Sequence, residues 1–295
     1  MKNVNNISAL CSKNIGVAFY FYQKPSLIKE NINTLISRYC EINNQPMSYF
    51  SLNDGKIKSM RGKKFPQYVN SIISGYDFYN SLCTQFYNDK IEKCHDSEIE
   101  IYMSDFDSTK YFNTKHPNIL YFEFPLETDL YKIYLFIENA FNLFEIFYSF
   151  CNPVISGSSL FYPKSYNMAV KQLKSNAIFS PKDGFFIHSI SHQLQNHMIC
   201  GESLIHFFSN TFEKDITSKL PNNIFLKKFE DHFSLSLIDF ETENNMIVLT
   251  DYPENLLIER YRALNKCLSN IISYDYGKNM FFKQDEWESW IRRFE

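Results

Sequence analysis

The stretch SEIEIYMSDF, at residues 97–106, alternates cleanly between polar and apolar residues. Successive side chains of a β-strand point to opposite faces of the sheet, so the apolar residues share one face and Glu98 and Glu100 share the other. This pattern predicts a strand with one face on the core and one face exposed to solvent. The next apolar run, NILYFEFPL, is its expected antiparallel neighbour.

Strand and helix patterns alternate along the rest of the chain. Asn53-Asp54-Gly55 indicates a hairpin turn between MSYFSL and GKIKSM. The spacing of apolar residues predicts a helix from about 128 to 149, and we expect another near 203–213.

The order of these elements constrains the fold class. Strands come in adjacent pairs separated by helices, which favours an α+β fold with mixed or antiparallel sheets flanked by helices over a parallel doubly wound sheet. We expect a single domain over residues 1–295. A soft boundary near residue 163, with two similar α/β halves, stays open as an alternative.

Composition bears on compartment and on the classes of partner. The 30 basic and 33 acidic residues give a net charge of −3, which provides no general attraction for nucleic acid or an anionic membrane. The seven cysteines are scattered and include no Cys-x-x-Cys pair, so neither a disulfide framework nor a zinc ribbon is indicated. The most apolar stretch, LYKIYLFIENAFNLFEIFYSF, is interrupted by charged residues and does not predict a membrane span. We expect a cytoplasmic protein.

The histidine-rich stretch HSISHQLQNHMICGESLIH, at residues 188–206, is the strongest candidate for a metal site. His188 and His192 are four residues apart and would share one face of a helix, as zinc ligands do. The residues before them are β-rich, however, and on a strand these two histidines would lie about 13 Å apart. Ser189 also stands where a His-Glu-x-x-His motif has its glutamate. We therefore interpret the histidines as ordinary polar or core residues and expect no metal and no cofactor.

A second enzymatic alternative comes from MSDFDSTKY. Asp105-x-Asp107-x-Thr109 after a strand matches the motif of haloacid-dehalogenase-type phosphatases, in which the first aspartate is the nucleophile and the second is the general acid. That family has a fully buried parallel strand before the motif, and this strand alternates instead. A small Mg²⁺- or Zn²⁺-dependent hydrolase therefore remains the alternative, whereas the absence of other catalytic motifs favours a protein that is not an enzyme.

The C-terminal part carries a resemblance to a known family. The helical segment DYPENLLIERYRALNKCLSNII, followed by DEWESWIRRFE, resembles the TsiV family, which are immunity proteins of type VI secretion associated with VRR-type nuclease effectors. The family commonly ends in Trp-Leu-Arg-Arg-Phe, and Ile291 replaces the leucine here. FSPKDG and QNHMICGESL depart from the family's Tyr-Pro-Gly and Asn-Trp-Leu-Thr. The resemblance implies a cytoplasmic inhibitor that binds a cognate effector, with Trp290 and Phe294 as packing residues.

An inhibitor of a nuclease has to cover a basic DNA-binding cleft, and carboxylates are the physical complement of such a cleft. Residues 229–259 contain eight acidic residues and no lysine or arginine before Glu259. We expect Asp239, Glu241 and Glu243, in a hairpin, to face the effector. The second candidate surface consists of Glu98, Glu100, Asp105 and Asp107. Aromatic residues should anchor the interface as well, but the sequence does not identify them.

Overall fold

The computed structural model describes residues 11–44, 46–53, 56–60, 62, 64–88, 98–107, 116–157, 164–175, 179–182, 205–208, 237–239, 245–248, 262 and 281–293. Within these residues the strands join one eleven-stranded sheet. Its strands are β1 (Cys11–Phe21), β2 (Tyr49–Leu52), β3 (Lys58–Ser59), β4 (Leu82–Tyr87), β5 (Glu98–Met103), β6 (Asn118–Pro125), β7 (Ile146–Gly157), β8 (Ser180–Lys182), β9 (Ile205–Phe208), β10 (Leu237–Asp239) and β11 (Asn245–Val248).

The strand order is β10-β11-β9-β7-β1-β6-β5-β4-β2-β3, and β8 pairs separately with β7. The β7–β8 pairing is parallel, while the other pairings between these strands are antiparallel. The sheet is therefore mixed. β8 and β9 follow residue 163 in the chain and pair with β7, which precedes it, so strands from both sides of that position share one sheet. The expected single domain with a soft boundary there stays a prediction.

Five α-helices accompany the sheet in the described part of the chain. They are α1 (Lys29–Ile42), α2 (Phe65–Gly75), α3 (Leu130–Leu143), α4 (Lys164–Ser175) and α5 (Gln284–Ile291). Pro66 lies in the first turn of α2, where a missing N–H costs no hydrogen bond. Asp129 caps α3 by accepting a hydrogen bond from the Tyr131 backbone N–H at 3.0 Å. Helices and a mixed sheet confirm the predicted α+β class. None of these helices is long and apolar enough to cross a bilayer.

Aromatic side chains fill the core between the sheet and the helices. Phe136 of α3 contacts Phe19 of β1 and Phe122 of β6, with ring centroids 5.9 and 5.0 Å apart. Tyr39 of α1 joins the same group, 5.2 Å from Phe122 and 4.9 Å from Phe124. These rings are fully or almost fully buried. Burial on this scale explains how a chain with few glycines and many phenylalanines forms one large core.

The sheet curls strongly, as the position of Lys182 shows. Lys182 is on β8 and contacts carboxylates of Glu98 and Glu100 on β5. β8 and β5 are four strand spacings apart through β7, β1 and β6, which would be about 19 Å on a flat sheet. The four-carbon stem of a lysine cannot span that distance. The face opposite the aromatic core must therefore be concave, with β8 folded back toward β5.

Two predicted elements differ from the structure. The helix expected over 128–149 ends at Leu143, and β7 begins at Ile146, so Tyr148 lies opposite Tyr20 in the sheet. The aromatic residues at 146–149 are compatible with a helix or a strand. They form a strand because β7 pairs with β1 along eleven residue pairs. The helix expected near 203–213 is also wrong where the structure describes it, because β9 occupies Ile205–Phe208. The hairpin of β2 and β3 and the neighbouring pair β5–β6 are confirmed.

Candidate functional site

Asp105 connects three segments at the end of β5. Its Oδ1 accepts a hydrogen bond from the Ser26 backbone N–H at 3.0 Å, and its own N–H donates to the Phe78 carbonyl at 2.7 Å. Ser26 belongs to the short 3-10 helix Pro25–Leu27, and Phe78 follows α2. Ser26 does not cap α1, because this helix begins later, at Lys29, with Ile28 at its N-cap position. The sequence-predicted Asp105 is thus a half-buried anchor, while its neighbour Asp107 is exposed.

Large apolar side chains surround this junction and face solvent. Leu27 is 80% exposed, Tyr79 74% and Phe106 43%. Each follows directly after one of the three hydrogen-bonded residues, Ser26, Phe78 and Asp105, and successive Cα atoms are about 3.8 Å apart. The three exposed side chains therefore come from one tightly connected region. We call this region the junction surface, which comprises Leu27, Asp77, Tyr79, Asp105, Phe106 and Asp107.

Carboxylates border the apolar residues of the junction surface. Asp77 is exposed and accepts a hydrogen bond from the Tyr79 N–H at 3.1 Å, while Asp105 and Asp107 flank Phe106. Lys29 is half-buried, and its ammonium donates to the carbonyls of Ser74 and Tyr76 at 3.0 and 2.9 Å. It also lies 5.4 Å from the centroid of the Phe78 ring. Among the described residues, Asp77, Asp105 and Asp107 are therefore the charged residues nearest in sequence to Tyr79 and Phe106, and Lys24, in the turn with Leu27, is also exposed.

Glu98 and Glu100 do not lie on an exposed surface, and the sequence expectation is wrong on this point. Both carboxylates are on the concave face of the sheet and are buried. The alternation of β5 correctly separates their face from the apolar face. The reason for the error is the curl of the sheet, which brings Lys182 of β8 over a face that the alternation alone predicts to be in water.

Lys182 forms the centre of a buried cluster with three glutamates. Its ammonium contacts Glu98 closely, Glu100 at 2.8 Å and Glu123 at 3.0 Å. It also lies 5.0 Å from the centroid of the Tyr121 ring, in cation–π geometry. These groups are all nearly excluded from solvent. Four ionisable side chains from β5, β6 and β8 thus meet in a buried site, which we call the Lys182 cluster.

Neighbouring polar groups complete the Lys182 cluster. Glu123 accepts hydrogen bonds from the Asn14 side-chain amide at 2.6 Å and from the Tyr121 hydroxyl at 2.8 Å. Gly16 makes room for this hydroxyl, because a Cβ at position 16 would overlap the Tyr121 oxygen. Buried charges are tolerated only when they are paired and hydrogen-bonded, and Glu123 meets both conditions.

The charges of the cluster shift its pKa values in opposite directions. Burial raises the pKa of Glu98 well above its usual 4.5; Lys182 opposes this shift, and Glu100 and Glu123 add to it. Burial also acts to raise the pKa of Glu100, but the Lys182 ammonium outweighs it and lowers the pKa. Burial would lower the pKa of Lys182, yet the three carboxylates raise it well above the usual 10.5. Three carboxylates around one cation therefore favour a proton on Glu98.

This arrangement limits what the Lys182 cluster can do chemically. A lysine acts as a nucleophile only when its amine is neutral, and the raised pKa keeps this amine protonated. The ammonium also stands between three carboxylates where a metal cation would otherwise find its ligands. Among the described residues, no group of His, Cys, Asp and Glu has an arrangement suited to a metal ion. The geometry fits a structural link that holds the short strand β8 onto the sheet.

The remaining predicted site residues lie mostly outside the described part of the chain. Asp239 is the last residue of β10, which pairs with β11 as the predicted hairpin requires, with Asp239 opposite Asn245. Glu241 and Glu243 fall in the connection between these strands, outside the described residues. His188 and His192 also fall outside them. The expected partner-binding role of the acidic hairpin stays a prediction.

Sequence reasoning missed the apolar residues of the junction surface and the role of Lys182. Leu27 and Tyr79 lie in separate connections whose proximity depends on tertiary hydrogen bonds. No local pattern in the sequence signals that their segments are hydrogen-bonded to Asp105, the residue before Phe106. Lys182 lies in SPKDG, a stretch with turn residues, and a lysine in such a stretch is normally exposed.

Comparison with known proteins identifies a related fold. No protein-family model matches the chain, and no curated protein matches its sequence. Among solved structures, the chain is similar to one described as Pseudomonas aeruginosa T6SS protein PA0821, with a TM-score of 0.76 and 12% sequence identity. The match covers 99% of this chain and 85% of the other. At this identity the likeness shows a shared fold over nearly the whole chain.

Proposed function

We propose that this chain is a type VI secretion immunity protein that binds and neutralises a cognate effector in competition between bacteria. The observation that carries the proposal is the fold shared with a T6SS protein over 99% of the chain. The C-terminal resemblance to the TsiV family supports the same class from the sequence alone. Trp290, which that resemblance implies as a packing residue, is buried against Phe282 with ring centroids 5.3 Å apart.

The proposed mode of action is binding without catalysis, in the cytoplasm. In the described residues, the charged side chains that come together most closely form the Lys182 cluster, whose lysine stays protonated. Asp105, the nucleophile in the phosphatase alternative, accepts a backbone hydrogen bond from Ser26 and holds a junction between segments. An anchor role accounts for its position without any reaction. Absence of phosphatase activity with and without added Mg²⁺ or Zn²⁺ would support the binding mode.

For the effector we propose a nuclease of the VRR type. The TsiV resemblance is the source of this assignment, and carboxylates suit a partner whose DNA-binding surface is basic. Inhibition would then follow from covering the active or DNA-binding site. The acidic residues Asp239, Glu241 and Glu243 remain candidates for this contact.

A protection assay tests the proposed function. The protein encoded directly upstream of this chain's gene, which we expect to be the effector, is expressed from an inducible promoter in a sensitive bacterium. Co-expression of this chain should restore growth and prevent DNA degradation, whereas an unrelated protein of similar size should not. Growth arrest that persists despite expression of this chain would overturn the proposal. Restored growth without any DNA damage by the effector alone would keep the immunity function and exclude the nuclease.

A further inference from the structure

We propose that the junction surface is the primary contact for the effector, with Tyr79 and Phe106 as its aromatic anchors. This inference rests on the proposed function. The surface fits a partner that offers an apolar pocket bordered by arginine or lysine side chains. It differs from the acidic hairpin at Asp239, which sequence reasoning places at the interface.

The exposure of the apolar residues is the first reason. In the described part of the chain, five large hydrophobic residues are exposed, and three of them, Leu27, Tyr79 and Phe106, belong to the junction surface. Exposed side chains of this size stabilise a complex when a partner covers them, because their apolar surface is removed from water. Tyr and other aromatic residues are also enriched among the residues that dominate binding energy.

The rigidity of the surrounding backbone is the second reason. Asp105 connects the end of β5 to the other two segments through hydrogen bonds of 3.0 and 2.7 Å, and the Ser104 N–H donates to the Asn118 side chain at 2.8 Å. Asn118 in turn donates to the Gln23 carbonyl at 2.9 Å, just before the Pro25–Leu27 turn. A surface whose backbone is already ordered loses less conformational entropy on binding than a free loop does.

Charge decides what kind of partner fits. Asp77, Asp105 and Asp107 present carboxylates beside Tyr79 and Phe106, while Lys29 is directed to the carbonyls of Ser74 and Tyr76. A basic rim around an apolar pocket complements this distribution. Such complementarity raises the association rate, with a marked dependence on salt.

The test compares a double substitution at the junction surface with a matched control. Tyr79→Ala with Phe106→Ala should weaken binding to the upstream-encoded protein, purified as an inactive variant, by about 100-fold or more. Tyr131→Ala is the control, because Tyr131 is an equally aromatic residue that is 65% exposed. It lies at the start of α3, after the Pro125 end of β6, whereas the junction surface is connected to the Asn118 end. This control should bind like the wild type. A third variant, Asp107→Lys, should slow association and reduce its dependence on salt.

The outcomes separate the two proposals. If the wild type binds and the double variant binds equally well, the junction surface is not the contact, and the proposed function stands. If the double variant instead abolishes self-association of this chain while effector binding persists, the surface joins two copies and the inference is overturned. If the wild type does not bind, the proposed function fails and the inference falls with it. Unchanged melting temperatures of all three variants show that binding differences are not caused by misfolding.

Discussion

At the scale of single residues, Lys182 supplies the positive charge that partners three buried glutamates on the concave face. Replacement by methionine keeps most of the side chain's bulk but leaves Glu98, Glu100 and Glu123 without their cation. Removal of one partner from a buried ion pair destabilises a protein by about 3–5 kcal/mol. We expect Lys182→Met to lower the free energy of unfolding, measured with urea, by an amount in this range.

A lysine on the surface provides the control for that substitution. Lys171→Met changes the same residue type at an exposed position of α4 and should leave the urea midpoint unchanged. Equal midpoints for Lys182→Met and Lys171→Met would contradict the structural role of the Lys182 cluster.

Glu98 gives this cluster a dependence on pH with a defined sign. Its pKa is raised on folding, so the native state keeps a proton that the unfolded chain loses above about 4.5. The free energy of unfolding contributed by Glu98 therefore falls as pH rises from there toward the native pKa. Glutamine holds no titratable proton, so Glu98→Gln should gain stability relative to the wild type as pH rises above about 4.5 toward the native pKa of Glu98. Urea unfolding across this range measures it, and parallel profiles for the two proteins would be evidence against a protonated Glu98.

At the scale of elements, α5 is attached by aromatic packing. Trp287 and Trp290 are buried and stack on Phe282, with ring centroids 5.7 and 5.3 Å apart. Truncation of a buried tryptophan to alanine costs about 3–5 kcal/mol, so Trp290→Ala should lower thermal stability markedly.

The exposed ion pair Lys174–Glu286, at 2.9 Å, connects the same helix to α4. Surface pairs contribute little, and Lys174→Ala should leave the melting temperature unchanged. Calorimetry distinguishes the two variants, and an equal loss for both would contradict attachment by packing.

The sequence predicts these elements unequally well. The alternation in SEIEIYMSDF predicts β5, and the following apolar run correctly indicates β6 as its partner. The predicted helix over 128–149 is too long. The sequence EIFYSF, at 145–150, fits the spacing of a helix as well as that of a strand, and only its pairing with β1 shows that it is a strand. Local patterns cannot reveal the curl of the sheet, since it depends on contacts between β8 and β5. That is why Glu98 and Glu100 are predicted to be exposed, although the structure buries them.

At the scale of the whole molecule, Glu98 and Glu100 lie in one place and Asp105 and Asp107 in another, and the two places have different roles. The carboxyl groups of the concave face are buried around Lys182, whereas those of the junction surface border exposed aromatic rings. Only the second kind can meet a partner without rearrangement of the sheet. Asp105 and Asp107, predicted from the sequence as contact residues, belong to that surface, but their aromatic neighbours could be identified only from the fold.

The central claim is that this chain neutralises an effector by binding it, and a stoichiometric titration tests that claim most directly. A fixed concentration of the effector encoded upstream, well above the dissociation constant, is mixed with increasing amounts of this chain, and the residual effector activity is measured. Inhibition by binding predicts a linear fall that reaches zero at a fixed molar ratio. Complete inactivation at a small fraction of that ratio would indicate catalysis, and unchanged activity at a large excess would contradict the immunity function.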